Sequence, residues 1–379
     1  MTADRPNPGI EPDTPRPEVP ESAPRGSEFT RSASIRKPAG SRMRKAVLFL
    51  LAALLIVVGV AAWDAYRFLH VPPEQPGENR LVEIVPGMSM ARISVLLEQE
   101  NIISSGLRFQ LYARLLGLGA SVQAGEFSLN TGWTPRQVLF ILTSGRVHLH
   151  RLRIPEGLTW WQTGRIVEES GLASFESFAG AVADPELLRR LAIPAEHAEG
   201  FLFPETYYLP RPRNQDARPI VEMMLEMFWR TTDQRLWPEG RPEPEAVRNL
   251  VILASLVEKE TGLPEERERV AGVFANRLRV GMRLQCDPTT IYGLGPDFSG
   301  PLYRRHLDDP GNPYNTYMHA GLPPGPIASP GLASLRAALT PEEHNLFYFV
   351  SNNDGSHTFS RTLEEHNRAV RQFRRSQGR

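Results

Sequence analysis

The chain has 379 residues, with 43 basic and 43 acidic side chains. That balance excludes the basic surplus that drives nucleic-acid binding, so no nucleic-acid partner is expected. The single cysteine, Cys286, excludes an intrachain disulfide and a closed cysteine-based zinc site.

Residues 1–40 are rich in Pro, Ser, Glu and Arg and poor in large apolar side chains. Such a stretch buries too little surface to offset its ordering entropy. Residues 1–45 are therefore expected to form a disordered cytoplasmic tail, either a docking arm or a dispensable leader. From Ala46 to Trp63 the chain reads AVLFLLAALLIVVGVAAW, 18 residues without a charge. A helix of that length just reaches across a bilayer core while satisfying its own backbone. A transmembrane helix is expected over 46–66. Arg31, Arg36, Lys37, Arg42, Arg44 and Lys45 precede it and Asp64 follows. The positive-inside rule then puts the N-terminus in the cytoplasm and the rest outside the inner membrane. A cleaved signal peptide is the competing reading, but the run exceeds a usual signal core and no small-x-small site follows it.

Residues 67–79 contain three prolines and read as a short stalk. Over 80–150 the pattern predicts strand (LVEIVP), capped helix (MARISVLLEQENI), second helix (LRFQLYARLLGL), strand (AGEFSL) and a helix ended at Gly145. Residues 151–200 echo this plan weakly. Pro86–Gly87–Met88–Ser89 corresponds to Glu156–Gly157–Leu158–Thr159, each a turn followed by a helix cap. A second small β-α unit is expected there, serving polymer binding or support. FESFAGAVAD, PELLRRLA and ARPIVEMMLEMFWRTTDQRLW predict helices.

EAVRNLVILASLVEKETGL predicts a helix that is apolar nearly all round between Leu250 and Val257, hence buried. Glu258 and Glu260 stand at its C-terminal end. A carboxyl emerging there is partly desolvated and faces the negative helix end, both of which favour the protonated acid. Residues two apart point to different faces, so the two do not form a dyad. Taken alone, a glutamate after an apolar helix is more often a solvated helix end. A further helix (EERERVAGVFANRL), a turn with a polar strand or loop (RLQCDPTTIYGLG), an irregular Gly/Pro loop and a closing strand, turn, strand and helix complete the chain.

The blocks ASLVEKETGLPEERERVAGVFANRL, RLQCDPTTIYGLG, YNTYMHAGLPPGPIASPG and LFYFVSNNDGSHTFSRTLEEHN, in that order, closely resemble the endolytic murein transglycosylase (YceG-like) family over residues 80–373. The resemblance implies an α+β protein with a membrane anchor, a LysM-like module over 80–150 and a catalytic domain over 201–373. It implies a lytic transglycosylase that cuts MurNAc–GlcNAc bonds of nascent peptidoglycan strands, leaves 1,6-anhydroMurNAc ends and thereby terminates strand elongation. Peptidoglycan synthases are the protein partners it implies. By the family pattern the essential acid falls on Glu258, with Glu260 as the fallback. Gln285, Asp287, Thr289, Tyr314, Asn315 and Tyr317 are candidate substrate contacts. Asn276, Glu205, His357 and Asn367 are weaker ones, each equally suited to holding loops. Cys286 and Met318–His319 depart from the family pattern, and neither is expected to touch the acid.

No cofactor and no metal are expected. H-E-x-x-H, phosphate-loop and G-x-S-x-G patterns are absent. His148 and His150, two apart on a strand, lack a carboxylate partner in sequence view. Two other functions stay open at this level: a hydrolytic muramidase, and a non-catalytic wall-binding scaffold for synthases.

Overall fold

The computed structural model describes residues 40–376. Of the tail expected over residues 1–45, residues 1–39 lie outside the described residues, and 40–45 are helical. The chain divides into two compact units, one ending at Ala65 and the other beginning at Tyr66.

Helix α1 (Gly40–His70) begins before the expected span, runs past its end and crosses the boundary between the units. Residues 43–70 contain a window of mean hydropathy 2.8 with none of it buried. Leu50, Leu55, Ile56 and Val60 are all well exposed. A helical stretch that shows apolar side chains on every face fits a bilayer, because water disfavours that surface.

The second unit starts with a small module: β1 (Asn79–Ile84), α2 (Met90–Gln99), α3 (Gly106–Leu115), β2 (Gly125–Asn130) and α4 (Pro135–Thr143). β1 and β2 pair antiparallel, from Asn79 opposite Asn130 to Ile84 opposite Gly125. Strand alternation turns Val82, Ile84, Phe127 and Leu129 inward onto Ile93, Leu97, Phe109 and Leu142. Ser89 and Thr134 cap α2 and α4 as their positions predict.

The stalk expected over 67–79 is not free-standing. Phe68 is buried in this module's core. The Thr131 hydroxyl donates to Glu74 at 2.7 Å, and the Glu78 N–H donates to Thr131 at 2.9 Å. Phe68 and Leu69 cover an apolar surface of this module.

β3 (His150–Arg153), α5 (Trp160–Glu169), α6 (Phe175–Val182), α7 (Pro185–Arg190) and β4 (Thr206–Leu209) follow. The echo holds locally: Gly87 and Gly157 take φ values of 79° and 74°, and Ser89 and Thr159 cap the next helix. Yet 151–200 is not a separate unit. β3 pairs with β4, beyond the expected boundary at 200. Leu152, Ile154, Val167 and Phe178 share one core with Phe228, Val247, Val251 and Leu335. One four-residue strand has no sheet of its own to pair with, so it joins the larger core.

That larger domain continues through α8 (Arg218–Arg235), α9 (Pro244–Glu260), α10 (Arg267–Arg279), α11 (Asp287–Gly293), α12 (Arg304–Leu307), α13 (Leu332–Leu339), β5 (Tyr348–Ser351), β6 (His357–Ser360) and α14 (Leu363–Ser376). α11 replaces the turn and polar strand or loop expected there. Pro288 near its start is pre-set for a helical first turn, and Asp287 suits the positive helix end.

Helix α9 divides two cores. Val247, Val251 and Ala254 face the one shared with β3, α5 and α8. Ile252, Leu256 and Val257 face the other, with Val270, Phe274 and Leu284. The helical period extends both rows past the apolar part. Positions 247, 251, 254 and 258 form one row, and 252, 256 and 260 the other.

Candidate active site

Glu258 and Glu260 therefore leave α9 toward opposite neighbours. Glu258 accepts the Gly331 N–H at 3.0 Å, at the start of α13. Its side chain packs on Gly157, in the turn after β3. Lys259 donates to the Gly157 carbonyl at 3.1 Å, and the Gly157 N–H donates to Ser329 at 2.9 Å. Glu156 lies beside this junction. Burial and, next, the charge of Glu258 raise its carboxyl above the usual range, while Arg267 opposes them.

Glu260 borders a cleft of 350 Å³ lined by Arg277, Gln285, Asp287, Tyr317, Tyr348, His357 and His366 among others. Burial pushes its carboxyl above the ordinary value, and the Asp287 charge adds to this. The Cys286 thiol, His357 and Arg277 pull the other way. Cys286 donates from Sγ to Glu260 Oε1 at 3.1 Å. The expectation that Cys286 does not touch the acid holds for Glu258 and fails for Glu260. The thiol is buried, and its own pKa is pushed far up, so it stays a neutral donor.

The cleft walls are preorganised. Tyr317 donates to Asp287 at 2.6 Å. His357 is held through Nδ1 against Glu266 at 2.6 Å, and its own N–H donates to the other Glu266 oxygen at 3.0 Å. Arg277 spends its guanidinium on the Phe347 and Leu284 carbonyls at 2.7 and 2.5 Å. Gln285 takes φ 48°, a left-handed conformation that a non-glycine adopts only where its surroundings compel it. Glu266, Arg277, Tyr348 and His366 were not singled out from sequence. Their one signal was membership of the same blocks.

The other candidates scatter. Thr289 is fully buried and bonds the Cys286 carbonyl and Thr316. Asn315 is fully buried and donates to the His306, Leu307 and Asp309 carbonyls. Asn276 ties the His344 and Leu346 carbonyls to α10. These three hold loops. Tyr314 lines a different cavity of 910 Å³ with Trp160, His197, Glu199, Arg248 and Tyr292. Glu205 lines a third, of 520 Å³, with Glu156, Arg230 and Arg235. Asn367 is exposed on α14. His150 does have a carboxylate partner, Glu126, which Arg211 also engages at 2.9 Å. Among the described residues no group of three His, Cys, Asp or Glu side chains is placed to hold a metal ion.

A carboxyl kept protonated to higher pH, opening on a cleft rich in hydroxyl, amide and imidazole groups, suits acid/base work on a polyhydroxylated substrate. The model of the YceG-like family matches residues 82–372, nearly all of the second unit. The chain belongs to the YceG-like family. Its relatives include the endolytic murein transglycosylase of Bacillus subtilis (strain 168), 30% identical over 325 residues, 81% of this chain and 88% of that protein. The endolytic murein transglycosylase of Streptococcus pneumoniae serotype 2 is 27% identical over 86% of this chain, which spans 65% of that longer protein. A YceG-like protein of Listeria monocytogenes, known from a 2.6 Å crystal structure, superposes with a TM-score of 0.51 at 32% identity. The match covers 77% of this chain and 99% of that one. The second unit thus has the YceG-like fold.

Proposed function

We propose that this chain is a membrane-anchored lytic transglycosylase that cuts peptidoglycan glycan strands with Glu260 as its acid/base. The observation that carries this reading is the Glu260 cleft. Of the two glutamates, only Glu260 opens on the cavity that collects Gln285, Asp287, Tyr317 and His357. Glu258, the residue favoured by block position alone, is engaged by the Gly331 N–H at a junction between elements.

The chemistry needs one carboxyl group. Protonated Glu260 gives its proton to the glycosidic oxygen, and the bond from that oxygen to MurNAc C1 breaks. The GlcNAc side leaves as an alcohol, and an oxocarbenium-like centre remains. The Glu260 carboxylate then takes the proton of the MurNAc 6-hydroxyl, whose oxygen bonds to C1. The product ends in 1,6-anhydroMurNAc, no water is consumed, and Glu260 regains its proton. Burial of Glu260 favours the starting acid form.

The β1–α2–α3–β2 order of the small module supports a LysM-like role in holding the polymer. The basic residues before α1 support an inner-membrane topology with the N-terminus inside and the cleft outside. Anchoring there would direct cutting to nascent strands and end their elongation.

Purified protein incubated with glycan strands and read by mass spectrometry should yield anhydro ends. Glu260→Gln should lower the rate by at least about 10²-fold, the usual worth of a general acid. Glu258→Gln should stay within a few-fold of the unsubstituted protein. The reverse pattern would return the acid to Glu258. Reducing MurNAc ends would mean a muramidase, and full complementation of a deletion strain by Glu260→Gln would mean a scaffold.

A further inference from the structure

The Glu260 cleft has a neighbour. A groove of 290 Å³ is lined by Trp161, Gln162, Lys259, Pro288, Tyr292 and Phe298 among others. The Trp161 and Tyr292 rings lie 5.0 Å apart at 32°, forming one slanted aromatic wall. Both rings are only half-buried, and Ile291 beside them is exposed. Lys259 uses one of its three donors on Gly157 and keeps the others for a ligand.

Groove and cleft are lined by residues that adjoin along the chain at two places. Lys259 lines the groove and Glu260 the cleft. Pro288 lines the groove and Asp287 the cleft. Consecutive Cα atoms are about 3.8 Å apart, less than the breadth of a sugar ring with its substituents. The groove therefore lies within reach of a polymer seated at Glu260.

We propose that this groove is a further subsite for the same glycan strand, taking the apolar face of one sugar on Trp161 and a strand-borne carboxylate on Lys259. The proposal rests on the glycan-cutting reading above. Its chemistry follows from the lining. Pyranose rings present C–H groups on a face and hydroxyls at the edge, matching an aromatic wall rimmed by Thr159, Gln162 and Lys259. The small volume suits a sugar residue better than a lipid chain. MurNAc carries a lactyl group, free or extended by a peptide, whose carboxylates complement an ammonium. A second occupied subsite favours strands long enough to fill both.

The test uses the full-length protein in detergent with two probes, long uncrosslinked glycan strands and short oligosaccharides. Trp161→Ala should raise KM on long strands about tenfold, the loss expected for one aromatic anchor. kcat should change far less, and the preference for long over short substrates should collapse. Trp161→Tyr should recover most of that preference. Lys259→Gln, at an exposed position, should raise KM several-fold on strands with free carboxylates and leave KM unchanged on amidated ones. Equal losses on both lengths, or none, overturn the subsite. Lys259→Gln effects blind to amidation overturn the carboxylate contact. If the unsubstituted protein cuts neither length, the underlying reading of function falls, and the subsite with it.

Discussion

At the scale of single residues, the two ends of α9 show what a pattern can and cannot decide. The apolar run made a buried helix legible, and the period made Glu258 and Glu260 point apart. Which of them meets substrate depends on what packs on each face, and that is a tertiary fact. The row through Ile252 and Leu256 runs on to Glu260 and its cleft. The same dependence hid Glu199, which is fully buried at the base of the cavity that Tyr314 lines. Burial raises its carboxyl to about 7, against the N–H groups of Trp160 and Gly200 and the hydroxyl of Tyr292. Both Glu199 and Glu260 hold their protons to higher pH in the fold than in the unfolded chain. Their contribution to stability is therefore full below the ordinary carboxyl range and is lost as pH rises through the folded value. An amide, like the protonated acid, carries no charge, and it keeps that neutrality at every pH. Glu199→Gln and Glu260→Gln should accordingly unfold at higher temperature than the unsubstituted protein at pH 8. The gap should close by pH 4 to 5. For Glu199 it is on the order of 3 kcal/mol, since one pKa unit is about 1.4 kcal/mol. Thermal unfolding followed by circular dichroism at the two pH values decides, and a wild type that stays ahead at pH 8 contradicts the sign.

At the scale of elements, most helices were legible because their caps and periods agreed. Ser89, Thr134 and Thr159 each begin a helix, and Thr134 and Thr159 complete capping boxes with Gln137 and Gln162. The errors fall where a short segment borrows its partner from afar. β3 needed β4 across more than 50 residues, and no local signal announces such a pairing. α11 hid in a block read as a turn with a polar strand or loop, because Pro288 and two threonines lower its propensity while Thr289 and Thr290 are fully buried. The supposed stalk is the clearest case. Its prolines suggested extension, yet Phe68 is 5% exposed among Val82, Ile84 and Phe109. Phe68→Ala should therefore destabilise the small module by about 3 kcal/mol, as truncating a core phenylalanine does. Hydrogen exchange should locate the loss in β1, β2 and α2, leaving α9 and α10 protected. An unchanged exchange pattern would show that residue 68 behaves as part of a linker after all.

At the scale of the whole molecule, function depends on which side of a membrane the cleft occupies. Peptidoglycan lies outside the cytoplasm, so a cleft facing inward would have no glycan strand to cut. Two features of the chain bear on this. α1 is exposed and uncharged from Ala46 to Trp63, about the length a bilayer core requires. Six Lys and Arg residues from Arg31 to Lys45 precede its uncharged run, with no acid among them, and Asp64 follows that run. Retaining positive charge on the cytoplasmic face outweighs other local biases in setting orientation. Reporter fusions in living cells read the outcome directly. A fluorescent protein that matures only in the cytoplasm should glow when joined to Met1 and stay dark when joined to Arg379. A phosphatase active only outside should show the opposite pattern. Replacing the six basic residues by Ser should blur both results, because the charge asymmetry is the stated cause. If the C-terminal fluorescent fusion glows in the unsubstituted chain, the topology is inverted, and no assignment of Glu260 to strand cutting survives it.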